Sequence, residues 1–251
     1  MSHPRFFACS EVPEHGLLPL TREDVHHLRD VLRLRVGESI ELAFAGAVWT
    51  VRLDEVSERV SGTRAEQVTD VAPLARVTLA QGLARGEKMD AVVRQATELG
   101  VSRIVPFAAE RSVVRLDPGK SSVRAQRWRR IAEGAAKQAH LTGIPEVSEP
   151  VETSGLPAAL ADTLMMFAWE EADGAPGIVE VIESAGDRAA GGVSVIVGPE
   201  GGISLEEAEL LVDAGAWVVS LGPTILRTET AGVVAAALAV HALGGLGAHR
   251  E

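Results

Sequence analysis

Val193-Ser194-Val195-Ile196-Val197 runs directly into Gly198-Pro199-Glu200-Gly201-Gly202, and these ten residues decide how the chain is read. A short β-branched run bounded by glycine reads as a buried strand, with the glycine loop as its exit. Ser204 and Glu207 then carry the capping-box spacing that opens a helix. A second passage repeats the pattern. Ala216 to Leu221 is another apolar, strand-like run; Gly222-Pro223-Thr224-Ile225-Leu226-Arg227-Thr228-Glu229-Thr230 follows, and then an alanine- and valine-rich stretch from Ala231 to Leu243. Glycine at such junctions lets the backbone come close to a ligand, and free amides at a helix start recognise polar groups without a side chain. Two such passages imply one composite ligand site.

The same alternation extends back to Arg76. Strand-like Val77–Gln81, Ile104–Phe107 and Leu164–Trp169 alternate with helical Glu87–Leu99, Ser122–Ala139 and Ile178–Glu183, ahead of Val193–Val197, Leu205–Ala214, Trp217–Leu221 and Thr230–Leu243. Strand and helix in alternation predict a parallel sheet covered on both faces, with ligands gathered at the carboxyl ends of its strands. Residues 1 to 70 differ. Arg5–Cys9, Ser39–Phe44 and Val48–Leu53 are short strand-like runs, interrupted by one helix capped by Thr21 and Asp24 with Val25, Leu28 and Leu32 at helical spacing. Asp70 to Pro73 reads as the linker, so the expected domains are 1–72 and 73–251.

At 251 residues with 46% apolar content the chain is long enough for ordinary globular cores. The longest apolar run, Ala231 to Leu243, is short of the roughly 18 residues a membrane span requires. The opening residues hold no apolar signal region, and the single Cys9 allows neither an internal disulfide nor a cysteine metal cluster. A cytoplasmic protein without metal or membrane is expected. The net charge of −11 argues at first against a nucleic-acid partner. Its distribution does not: residues 76–140 carry 13 basic and 6 acidic side chains, whereas 141–251 carry 3 and 17. One basic segment on an acidic protein binds phosphate locally, although a solvated helix face has the same composition.

The Gly198–Gly202 loop and the Leu221–Ala231 segment resemble the two cofactor-loop motifs of the SPOUT class of RNA methyltransferases. Within that class the chain is most similar to the RsmE family, through Pro4-Arg5-Phe6-Phe7, His26-His27-Leu28, Val31-Leu32-Arg33-Leu34, Gly86-Glu87-Lys88-Met89, Glu98-Leu99-Gly100-Val101, Glu110-Arg111-Ser112 and Ile144-Pro145-Glu146. The resemblance implies an α/β fold with a C-terminal trefoil knot, a small PUA-like β-barrel before it, a homodimer, and S-adenosyl-L-methionine as cofactor. It further implies methylation of N3 of one uridine in 16S rRNA, within the 30S subunit. The chain departs from the family where Gln138 is followed by Ala139-His140-Leu141-Thr142-Gly143 instead of an arginine-bearing stretch.

By that resemblance Gly198, Pro199, Gly201, Gly202, Leu221, Gly222, Pro223, Ile225, Leu226 and Thr230 hold the cofactor. Arg227 is the leading catalytic candidate: a guanidinium in the loop can orient the uracil carbonyls and stabilise an N3 anion, grip a phosphate, or simply pair with Glu200 or Glu229. Glu200 and Glu229 can accept the imide proton or serve as helix-start carboxylates. Arg5, Arg33, Lys88 and Arg111 match family motifs as RNA contacts, and Arg124, Arg127, Arg129 and Arg130 extend them along a basic helix. Trp128 within that helix is a stacking surface or, more simply, a core anchor. Pro118-Gly119-Lys120-Ser121 lacks the first glycine and the leading strand of a phosphate loop. Two rival readings are a SPOUT enzyme acting on another base or a ribose 2′-hydroxyl, and a ribosome-associated RNA-binding protein without catalysis; intact cofactor loops weigh against the second.

Overall fold

A computed structural model describes residues 3–68, 75–112, 118–171 and 174–247. The chain forms two compact units, one of Met1–Pro73 with Ala136–Gly143 and one of Leu74–Ala135 with Ile144–Glu251. The expected linker, Asp70 to Pro73, lies outside the described residues.

The first unit holds strands β1 (Arg5–Phe7), β2 (His15–Leu17), β3 (Ser39–Phe44), β4 (Ala47–Val56) and β5 (Val60–Gln67), with helix α1 (Arg22–His26) between β2 and β3. Thr21 caps α1 as its spacing predicts, its hydroxyl accepting from the Asp24 amide at 3.0 Å. A π-helical turn, His27–Val31, continues α1, and Arg33 follows it at φ 55°, a conformation that side chains rarely adopt. The sheet order is β1-β3-β4-β5-β2, antiparallel except for the β1–β3 pair. Phe6, Leu28, Ile40, Leu42, Val51 and Leu53 form its core. The last turn of the long helix from Pro118 belongs to this unit, held there by Lys137 Nζ 2.6 Å from the buried Asp24 carboxylate.

In the second unit β6 (Ala75–Gly82), α2 (Lys88–Glu98), β7 (Val101–Ala108), α3 (Pro118–Gln138), β8 (Glu146–Val147), β9 (Val151–Glu152), α4 (Leu156–Ala159), β10 (Leu164–Ala168), α5 (Ile178–Ala185), β11 (Val193–Val197), α6 (Leu205–Asp213), β12 (Trp217–Val219) and α7 (Thr228–Ala242) follow in order. All seven strands pair in parallel, in the order β12-β10-β11-β6-β7-β8 with β9 also on β7. The near-continuous apolar runs of β10 and β11 follow from burial on both faces. Val92, Val181, Ala235 and Ala239 of α2, α5 and α7 pack on one face with Trp128 of α3, which is an anchor of that core. Leu156 of α4 and Ala208 and Leu211 of α6 cover the other face. Beyond β11 the chain skips over β10 to place β12, so β10 lies between the strands that lead into the two glycine loops.

Candidate active site

The carboxyl ends of β10, β11 and β12 open into a cavity of about 800 Å³, within the range of small-molecule sites. Val197, Ile203, Val219, Leu221, Leu226 and Ala231 give it apolar walls, and Lys88, Glu170, Glu200, Ser220, Arg227 and Thr228 bring polar groups to it. Local chemistry shapes the loops. Ser204 and Glu207 form the full capping box of α6, and Glu207 also accepts from the Glu110 amide at 2.9 Å and the Thr153 hydroxyl at 2.6 Å. That fixes where the first loop ends. Gly222 stands at φ 109° with no atom within 4 Å of where a Cβ would be, so the second loop presents bare backbone to the cavity.

Gly198, Pro199, Gly202, Leu221, Gly222, Pro223, Ile225 and Leu226 line the cavity, with Ile225 89% exposed at its mouth. Gly201 and Thr230 do not. A Cβ on Gly201 would stand 2.4 Å from the Arg111 carbonyl, so chain packing alone requires glycine here. Thr230 is exposed on α7. Thr228 lines the cavity instead, and its hydroxyl donates to the Gly198 carbonyl at 2.5 Å and accepts from Gln81 Nε2 at 2.9 Å.

Lys88 is partly buried and paired. Its ammonium lies 2.9 Å from Glu200 and 3.2 Å from Glu229, inside the cavity wall. Hydrogen bonds to Glu200 and then Glu229 hold Lys88 above its ordinary value. For Glu200, burial acts upward as the largest influence, but the Lys88 hydrogen bond and backbone amides, that of Arg85 included, together bring it below the ordinary carboxylate value. Glu229 is lowered first by its own backbone amide, against burial, and then by Lys88 and the Arg227 charge. Both carboxylates are thus favoured in the charged form beside the Lys88 ammonium. Arg227 is exposed; its carbonyl accepts from the Ala231 amide at 2.8 Å, while its side chain, among the described residues, makes no ion pair or hydrogen bond, and it precedes the first residue of α7 at the cavity.

Arg5 is turned inward. Its side chain is 2% exposed, donating to Glu41 at 2.6 and 2.9 Å and to the carbonyls of His140 and Leu141. No edge remains for a phosphate. Its strand register sets Arg5 directly beside Glu41, a pairing that cannot be read before the strands are placed. Arg33 and Arg111 are exposed. On α3, Arg127 pairs with Asp90, Arg124 is partly buried with one Nη lacking a partner, and Arg130 lines a shallow groove with Ile144 and Pro145. Gln81, Thr228 and the wall role of Lys88 escaped the sequence reading; Lys88 had a signal in Gly86-Glu87-Lys88-Met89, but nothing local ties it to residues 112 positions away.

Comparison with known proteins follows the same lines. Residues 71–240 match the model of the RNA methyltransferase domain, and residues 20–59 that of the RNA methyltransferase PUA domain. The chain is 32% identical over 227 residues to the ribosomal RNA small subunit methyltransferase E of Bacillus subtilis, covering 88% of each. It is 32% identical over 239 residues to the enzyme of that name from Mycobacterium bovis, covering 91% of this chain and 88% of the other. The Neisseria gonorrhoeae ribosomal RNA small subunit methyltransferase E, solved bound to S-adenosyl methionine, superposes with a TM-score of 0.81 at 28% identity, covering 95% of this chain and 97% of that one. A Legionella pneumophila methyltransferase solved with bound cofactor gives 0.79 at 28% identity over 96% and 98%. On the strength of this cavity, these two domain matches and this full-length similarity, the chain belongs to the ribosomal RNA small subunit methyltransferase E family.

Proposed function

We propose that this protein uses S-adenosyl-L-methionine to methylate N3 of a uridine in 16S rRNA, presented by the 30S subunit. The observation that carries the reading is the convergence of both glycine loops on one cavity at the carboxyl edge of a parallel sheet. The residues present fit the cofactor. The volume suits a nucleoside with a short amino-acid arm, apolar walls receive an adenine, the open backbone at Gly222 offers main-chain groups, and Glu170 and Glu200 complement a cation. When bound, the cofactor supplies an electrophilic methyl group.

The chain's residues do the rest by position and charge. Arg227, unpaired at the open mouth, orients the uracil carbonyls and stabilises the N3 anion once its proton has left to solvent. Glu200 and Glu229 hold Lys88 and close the wall behind the cofactor. Residues 1–72 with Arg33, together with Arg111 and with Arg124, Arg127 and Arg130 of α3, engage the RNA backbone. Residues 73–251 form the methyltransferase domain, in which the passage from β11 to α7 makes a trefoil knot, supported by the return of α7 onto β6 and β11. The active species is a cytoplasmic homodimer; exposed Ile225 beside the cavity is where a second copy completes the wall.

The test is mass mapping of 16S rRNA from 30S particles of a deletion strain, before and after incubation with the protein and labelled cofactor. One new methyl group on a uracil N3 is expected. A methyl group on a ribose or another base, or no transfer beside intact RNA binding, refutes the proposal.

A further inference from the structure

Gln81 is the penultimate residue of β6, with its side chain wholly buried. A buried amide must be hydrogen-bonded, and the direction of those bonds is forced here. The Gly198 carbonyl can only accept, so the single proton of the Thr228 hydroxyl goes to it, across 2.5 Å. Thr228 Oγ1 must then accept, and the donor is Gln81 Nε2 at 2.9 Å. Because residue 199 is proline, the Gly198–Pro199 peptide has no N–H, and that carbonyl is its whole polar content. The three-membered relay therefore ties the root of the first loop to the first turn of α7, which the second loop enters.

Two glycines shape the slot. A Cβ on Gly232 of α7 would stand 2.0 Å from Gln81 Oε1, and one on Gly82 would stand 2.3 Å from the Pro199 nitrogen. Gln81 Oε1 finds no hydrogen-bond partner, so the amide is kept in place at the expense of an unsatisfied acceptor. Gln81 and Gly232 do not line the cavity.

We infer that Gln81 is a positioning residue: acting through Thr228, it fixes the Gly198 carbonyl and pre-organises both cofactor loops before the ligand arrives. The inference rests on the cofactor reading above. Without the relay the loops sample other positions, and binding must reorder them.

The test uses the full-length protein and the variants Thr228→Val, Thr228→Ser, Gly232→Ala and Gln81→Leu. S-adenosylmethionine affinity is measured by calorimetry, cofactor KM and kcat by methyl transfer, and amide exchange over residues 198–204 and 222–227 on ligand-free protein. Breaking a buried hydrogen-bonded chain should weaken binding roughly tenfold for Thr228→Val, Gly232→Ala and Gln81→Leu, with the loss in KM and not in kcat. Loop exchange should quicken by a similar factor, and Thr228→Ser, which keeps the hydroxyl, should restore both. Gly232→Ala is the sharpest arm, because helix propensity alone predicts that it stabilises α7. Should Gln81→Leu fail to fold, the two Thr228 variants decide. Equal affinity and equal loop exchange in Thr228→Val and Thr228→Ser overturn the relay. If the wild type does not bind the cofactor, the cofactor reading fails, and the ligand-free exchange still judges the relay by itself.

Discussion

Lys88 holds its ammonium 2.9 Å from the Glu200 carboxylate, and so joins the first residue of α2 to the first glycine loop. The same nitrogen lies 3.2 Å from Glu229 in the opening turn of α7. One cation thus spans three chain segments around the cavity. Partial exposure makes each ion pair weak by itself, so the effect of the cluster is local ordering and not global stability.

That arrangement sets a pH dependence. Both carboxylates are held below their ordinary value of 4.5, so their contribution is complete above it and is lost as the pH falls through the lowered folded values. Lys88 is held above its ordinary 10.5, so its share is complete below 10.5 and is lost as the pH rises beyond. S-adenosylmethionine affinity should be level near neutrality and fall on acidification below the ordinary carboxylate value. Lys88→Met should weaken binding about five- to tenfold at pH 7 and flatten that acid limb. Calorimetry from pH 8 down to about 3 checks it, since the loss lies below the ordinary carboxylate value; parallel acid limbs in both proteins would remove the cluster from cofactor binding.

Arg227→Ala should leave cofactor affinity nearly intact while slowing methyl transfer by about 10² or more, the scale for removing a preorganised charge at a reacting centre. The guanidinium is exposed at the cavity and has no ion-pair partner among the described residues, so little structure depends on it. Single-turnover transfer to 30S particles, read beside calorimetry, separates the two effects. A wild-type rate would make Arg227 dispensable.

Much of the second unit was legible because its signals are local. Val193–Val197 is β-branched and bounded by glycine, and Ser204 with Glu207 caps a helix by spacing alone, so strand, loop and helix follow in order. β5 was not legible: Val60-Ser61-Gly62-Thr63-Arg64-Ala65-Glu66-Gln67 is mostly polar, and becomes a strand through backbone pairing to β4 and β2. β8 and β9, two residues each, carry too little pattern to see. The site divides in the same way. Glycine loops announce themselves, whereas Gln81 meets Thr228 across 147 residues and Lys88 meets Glu200 across 112, and only the order of strands in the sheet brings them together. Gly201 shows the limit of motif reading, since its close approach to the Arg111 carbonyl is a packing demand that the loop sequence does not announce.

Arg5→Met should destabilise the first unit by about 3–5 kcal/mol, the scale for stripping the partner from a buried charge. Glu41, with a side chain 12% exposed, would lose its guanidinium partner, and the carbonyls of His140 and Leu141 would lose their donor. Denaturant unfolding measures the loss, and RNA affinity of the folded variant should not change. An unaltered midpoint with weakened RNA binding would return Arg5 to the RNA surface.

Arg130 and Arg127 sit three residues apart on α3 and should behave differently. Arg127 is paired with Asp90, so forming a phosphate contact means giving up that partner, and its replacement by glutamine removes little net attraction. Arg130, exposed beside the shallow groove, has no such partner among the described residues and offers its guanidinium without that exchange. Each phosphate contact releases counterions, and losing one lowers the slope of log affinity against log salt by roughly one unit. Arg130→Gln should therefore weaken binding to a 16S rRNA fragment and flatten the slope by about that amount, while Arg127→Gln moves it by well under half as much. Titrations at several salt concentrations decide between them. Equal slopes in the wild type and Arg130→Gln would show that this face of α3 meets water and not RNA.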